Sequence, residues 1–156
     1  MPATARPSPR VLIVANRTAA TAALIEAVRE RARDDDARFH LVVPATPHGL
    51  HRVVDPEVAG REEAQASLRV ALPLLSRAAG RLVTGEVGDA NPLAAVTDAL
   101  HLRGVDEIIV STLPRRVSTW MRLDFPSKVR ALGLPVTHVR PHAIDACLVE
   151  AALTSG

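Results

Sequence analysis

Residues 10–15 read RVLIVA, and related apolar runs return at 38–43 (RFHLVV), 82–87 (LVTGEV), 106–111 (DEIIVS) and 135–140 (PVTHVR). The first run, Arg10 to Ala15, is continuous in β-branched and leucine side chains, the pattern of a strand buried on both faces rather than a half-exposed one. Helical periodicity fills the gaps between the runs. Thr18 stands as a natural N-cap ahead of Ala20, Ala23, Leu24, Ala27 and Val28, and the charged stretch Arg31 to Asp36 closes that helix. Gly60 to Ala79 carries Ala64, Leu68, Ala71, Leu72, Leu75 and Ala79 on one face, with Pro73 expected to kink or divide it. Asn91 to Leu102 has Asn91 as cap, Pro92 at its first position and Gly104 just beyond its end. A short helix near Pro126 to Leu132 precedes the last strand. Five strands alternating with four helices predict a single doubly wound α/β domain, a parallel sheet with helices on both faces and right-handed crossovers.

The length of 156 residues, 47% hydrophobic and 23% charged, suits one domain and leaves no room for two. Residues 1–9 are expected to form a disordered tail, 10–140 the α/β domain, and 141–156 a C-terminal tail whose apolar part, Ile144 to Leu153, is either a docking helix or an arm onto a partner subunit. No apolar run reaches the length of a membrane span and the opening MPATARPSPR lacks a signal-peptide core, so a cytoplasmic protein is expected, with no membrane partner. The single cysteine, Cys147, excludes an internal disulfide and a cysteine-based zinc site. Nineteen basic residues against seventeen acidic ones give a net charge of +2, too mild a balance for a dedicated nucleic-acid binder. All the basic residues except Lys128 are arginine, whose guanidinium fork suits phosphate and carboxylate. Only 2% of residues are aromatic, so the core must be aliphatic. Trp120 and Phe125 share one connection, where they either anchor an irregular segment onto the sheet or form a stacking platform over a ligand.

In open α/β sheets ligands lie beyond the carboxyl ends of the strands, where the strand order reverses. The corresponding loops are Asn16 to Thr18, Pro44 to Ala59, Gly88 to Asn91 and Thr112 to Asp124. The last is the richest: following Ser111 it carries Thr112, Arg115, Arg116, Ser118, Thr119 and Arg122, hydroxyl and guanidinium donors suited to an anion. A solvated basic loop is the alternative. Other constellations are weaker. Glu62 and Glu63, like Asp34 to Asp36, read as solvated carboxylates. His48 and His51 with Asp55 have a metal-like spacing in a polar loop, but no metal site is expected. His40 and His138 fall on predicted strands as satisfied core or interface groups. Ser111 has no His and Asp constellation, and IVSTL lacks G-x-S-x-G. A phosphorelay receiver would want acidic residues where Asn16 and Gly88 stand. No enzymatic activity is expected.

VLIVANRT with the Ala-rich helix after it, FHLVVPATP, VTGEVGDANPLAAVTDAL, GVDEIIVST and LPVTHV resemble, in order and spacing, the universal stress protein family across Val11 to Val139. The most specific piece is GVDEIIVST leading to PVTHV, with an Asp before the fourth strand and Pro-Val opening the fifth. The resemblance implies a five-stranded sheet of order 3-2-1-4-5, a homodimer through the fifth strand and, in one branch, ATP binding. It places Arg17 and Arg115 on a shared crevice, Asn16 within reach of a ribose, and the backbone at Val43 where adenine is read. The ATP-binding branch carries G-x-x-G, nine residues, then G-S or G-T. Here Ser111 and Pro114 stand at the first two glycines and Asp124-Phe125 at the final pair, with Pro126-Ser127 matching only after a two-residue slip. Proline has no N–H to offer a phosphate, and a carboxylate beside phosphates is unfavourable.

Two readings follow. One is a dimeric regulatory or scaffold protein of the non-ATP-binding kind, with an anion site at the fourth-strand loop and a further protein partner. The other is a stress-response protein binding ATP or AMP, in which Arg115, Arg116 and Arg122 replace the glycine motif. The candidate ligand-binding set is Asn16, Arg17, Thr18, Val43, Ser111, Thr112, Arg115, Arg116, Ser118, Thr119 and Arg122. The fifth run, PVTHVR, would be an uncapped sheet edge, which pairing with a second copy removes.

Overall fold

The apolar run at 10–15 becomes the middle strand of the sheet. The computed structural model describes residues 6–16, 18–46, 56–112 and 124–140. In chain order they form β1 (Arg10–Ala15), α1 (Ala22–Ala32), β2 (Arg38–Pro44), α2 (Pro56–Ala79), β3 (Thr84–Gly88), α3 (Pro92–Arg103), β4 (Glu107–Ser111), α4 (Phe125–Arg130) and β5 (Val136–Val139). The sheet order is β3-β2-β1-β4-β5 with every pair parallel, as expected. Ile13 on β1 pairs in register with Leu41 on β2 and with Ile109 on β4.

Because successive side chains of a strand point to opposite faces, an unbroken apolar β1 must be covered on both. Val11 and Ile13 join Phe39, Leu41 and Val43 in a core closed by Leu24 and Val28 of α1 and Leu75 of α2. Leu12 and Val14 join Val42, Ile108 and Val110 in a second core closed by Val96 of α3 and by Phe125 and Val129 of α4. Each such aliphatic side chain contributes about 1.5–3 kcal/mol of transfer free energy when fully buried. Phe125 is 3% exposed and lies in this second core, so it anchors the connection to the sheet. Trp120 and the tail 141–156 lie outside the described residues.

Local signals set α3 closely. The Asn91 side-chain oxygen accepts from the N–H groups of Leu93 and Ala94 at 3.0 and 3.3 Å, Pro92 opens the helix, and Gly104 takes a φ of 62° at its end. Gly88 lets α3 approach the sheet: a Cβ there would stand 2.8 Å from both Ala95 Cβ and Val42 Cγ1.

Several boundaries differ from the sequence reading, most by a residue or two. Helix α1 begins a turn later than expected, with Thr21 rather than Thr18 at its N-cap, because successive turns come first, the Ala19 N–H donating to the Asn16 carbonyl and the Thr21 N–H to that of Thr18. Helix α2 begins at Pro56, which shortens the loop after β2, and it is not divided at Pro73. Pro73 faces solvent there, where the carbonyl it leaves unpaired is within reach of water. Strand β3 starts at Thr84 instead of Leu82, whose side chain is 81% exposed. Strand β5 covers four residues of the six expected.

Candidate functional site

The strand order reverses between β1 and β4, and their carboxyl ends carry four of the candidate residues. Asn16 follows β1 and is buried; its carbonyl accepts from the Ala19 N–H at 3.1 Å, turning the chain toward α1. The buried Thr18 hydroxyl donates to the Ser111 carbonyl at 3.0 Å, tying the loop after β1 to the end of β4. This bond crosses 93 residues of sequence and holds Thr18 in the turn that precedes α1. Thr21 takes the N-cap position, and its hydroxyl donates to the Thr18 carbonyl at 2.9 Å.

Ser111 is 1% exposed, and its Oγ has no hydrogen-bond partner among the described residues. Thr112, equally buried, donates its N–H to the Val139 carbonyl at 3.1 Å. Its hydroxyl lies 2.6 Å from His138 Nε2, while His138 Nδ1 accepts from Arg140 Nε at 3.3 Å. Burial first, and then the charges of Arg140 and Arg130, hold the imidazole below its ordinary pKa. His138 is therefore neutral at pH 7, with the proton on Nε2, and Nε2–H donates to Thr112.

Val43 on β2 is fully buried and turns its side chain into the α1/α2 core, so only its backbone is available to a ligand. The chain beyond β2 is pinned to the end of β3, with the Ala45 N–H donating to the Gly88 carbonyl at 3.1 Å and the Thr46 hydroxyl to the Ala90 carbonyl at 2.8 Å. Asp124 precedes α4 with φ 54° and ψ 39°, the left-handed conformation. The backbone thus keeps a glycine-like geometry at the position where the glycine pattern expects glycine, with a carboxylate added. Arg17, Arg115, Arg116, Ser118, Thr119 and Arg122 lie outside the described residues, as do His48, His51 and Asp55. Among the described residues no group of three or more His, Cys, Asp or Glu is placed to hold a metal.

Sequence reasoning missed a polar cluster on β2, β3 and the end of α3. His40 Nδ1 lies 2.7 Å from the Thr84 hydroxyl and Nε2 3.2 Å from Glu86, which also faces Arg103 at 3.4 Å. Burial keeps His40 below its ordinary pKa. Burial alone would raise the Glu86 pKa, but the hydrogen bonds from Arg103 and His40 together hold it below the usual carboxylate value. A neutral His40 donates Nε2–H to Glu86 and accepts at Nδ1 from Thr84. The alternation of Thr84 and Glu86 was legible, but their pairing with His40 requires the strand register.

No protein-family model matches the sequence, and no curated protein sequence matches it. The backbone does find counterparts. A structure of a universal stress protein family member from Burkholderia pseudomallei superposes with a TM-score of 0.56, covering 83% of this chain and 93% of that one at 19% identity. The fold is that of the universal stress proteins. The universal stress protein of Archaeoglobus fulgidus matches with a TM-score of 0.58 over 84% of this chain and 93% of that one, at 15% identity. A structure of the Archaeoglobus fulgidus universal stress protein in complex with dAMP matches with a TM-score of 0.53 over 85% and 98%, at 18% identity. At these identities the likeness is one of architecture. Among the described residues no helix is long and apolar enough to cross a membrane.

Proposed function

We propose that the chain is a universal stress protein-like regulatory protein of the cytoplasm without enzymatic activity, which pairs with a second copy through β5. Its site at the carboxyl ends of β1 and β4 takes a small anionic group in preference to ATP. The observation that carries this reading is the buried Ser111 hydroxyl, unpartnered among the described residues and lying at the switch point. An unpaired buried hydroxyl costs about 1–3 kcal/mol, so a ligand that accepts from it recovers that energy. The Thr18 hydroxyl is already committed to the Ser111 carbonyl, which leaves Ser111 Oγ as the free donor beside it. Pro114 offers no N–H, and the Asp124 carboxylate opposes a triphosphate.

A second reading has a specific support in the solved neighbour that holds dAMP. In it, a nucleoside monophosphate lies with its ribose at Asn16 and its adenine at the Val43 backbone, with arginines of the fourth-strand loop on the phosphate. Native mass spectrometry of the purified protein, followed by thermal melting with phosphate, AMP and ATP, tests both readings. Bound ligand at a hundred times its Kd stabilises by about 2.7 kcal/mol. The first reading expects phosphate to raise the melting temperature and ATP to do no more than phosphate. A co-purifying nucleotide, or a larger dose-dependent shift with AMP, establishes the second. Light scattering should return twice the chain mass of 16.6 kDa, and a monomer would remove the β5 interface.

A further inference from the structure

The opposite end of the sheet carries a cationic groove. Arg10 and Arg38 open β1 and β2 and are partners in register. Neighbouring strands lie about 4.8 Å apart, so two exposed like charges stand side by side, an arrangement that is unfavourable unless an anion joins them. The groove they border has a volume of about 1000 Å³, and Arg103, His40, Leu82 and Leu102 also line it.

Three observations separate it from an ordinary charged surface. Backbone carbonyls near the ends of α1 and α3, which would repel an anion, are already covered: Arg81 donates to the carbonyls of Ala32, Asp35 and Ala37, and Arg10 to that of Arg103. Arg81 is spent in that role through both Nη1 and Nη2, whereas Arg10 commits only Nη1 to a carbonyl and the Arg38 guanidinium has no hydrogen-bond partner among the described residues. The rim is apolar, since Leu82 and Leu102 are 81% and 79% exposed. Opposing charges are few. Asp36 lines the groove, Glu86 faces Arg103, and Asp106 is occupied by the Arg10 N–H at 2.8 Å. Both His40 nitrogens are engaged, so the imidazole forms wall and not ligand contact.

We infer that this groove binds an organic anion whose carboxylate or phosphate head is held by Arg38 and Arg10 and whose short apolar chain lies against Leu82 and Leu102. Paired guanidinium forks recognise either head group through bidentate, charge-assisted hydrogen bonds, and the exposed leucines supply what an inorganic ion would leave unused.

Calorimetric titration of the full chain with octanoate, octyl phosphate and inorganic phosphate tests the inference. Saturable binding of at least one octyl probe is expected, with inorganic phosphate at least tenfold weaker; the stronger of the two octyl probes identifies the head group. Arg38→Glu should weaken that probe at least tenfold, as should Leu82→Ser combined with Leu102→Ser. These side chains are exposed, so melting temperatures should stay near that of the parent, and Arg38→Gln repeats the test without reversing charge. Ser111→Ala should leave the binding intact, which separates this groove from the site at the other end of the sheet. Absence of saturable octyl binding, an affinity of the Ser111→Ala variant for inorganic phosphate equal to that for the octyl probe, or unchanged affinity in both Arg38 variants would overturn it.

Discussion

His138 Nε2 stands 2.6 Å from the Thr112 hydroxyl, joining β5 to the residue that follows β4. The neighbouring bond from Arg140 requires a neutral ring, because His138 Nδ1 accepts it. In the unfolded chain the imidazole titrates near its ordinary value of about 6.5, while the folded state holds it lower. As pH falls, the unfolded chain therefore takes the proton first. Stability should be full above the unfolded pKa and decline as pH falls through about 6.5 toward the folded value. His40 shifts in the same direction and adds to the slope. Urea denaturation between pH 5 and 8 measures it, and His138→Gln, which keeps a donor without titrating, should flatten it. An unaltered slope in that variant would assign the effect elsewhere.

Ser111→Ala separates a wasted hydroxyl from a used one. In the ligand-free protein the change should leave the melting temperature equal or raise it, a gain of up to about 1 kcal/mol, because a buried unpaired polar group disappears. The response to phosphate should shrink at the same time. A loss of stability instead would show that Ser111 Oγ has a partner.

Arg31 joins three parts of the chain: its Nε donates to Glu107 at 2.8 Å and its Nη1 to Asp35 at 3.0 Å. The hydrogen bonds from Arg31 hold the Asp35 carboxyl below its usual value. Glu107→Gln keeps the shape and removes the charge, and should cost about 1 kcal/mol, since the pair is only partly exposed. Asp35→Asn, at an exposed position, should have a smaller effect that fades at high salt. Paired denaturation curves at low and high ionic strength check both.

Gly88→Ala should destabilise by about 1–3 kcal/mol, the usual cost of overfilling a close-packed contact. The added methyl meets Ala95 and Val42 in the floor beneath α3. Chemical denaturation gives the value directly, and a neutral result would mean that α3 can shift away from the sheet.

What the sequence made legible was local. RVLIVA announced a strand covered on both faces, and Asn91, Pro92 and Gly104 bounded α3 because caps act within a turn. Long-range bonds were not legible. Thr18 has the chemistry of a cap, yet its hydroxyl went to Ser111 on a strand 93 residues away. Leu82 has the composition of a strand residue, but it precedes β3 and faces solvent. Pro73 signals a break that an exposed helical face tolerates. Ser111 and Thr112 were singled out for their hydroxyls; that one would be left unpaired and the other joined to His138 depended on the register of β4 with β5.

The left-handed backbone at Asp124 has a consequence for how this chain could change. A side chain there sits in a conformation that costs roughly 1 kcal/mol or more for residues other than glycine. Asp and Gly codons differ by a single base. Glycine is thus one mutation away, and that mutation would relax the backbone while deleting the carboxylate. On backbone grounds alone glycine is the favoured residue at this position, and Asp124 differs from it in carrying a charge at the entrance to α4.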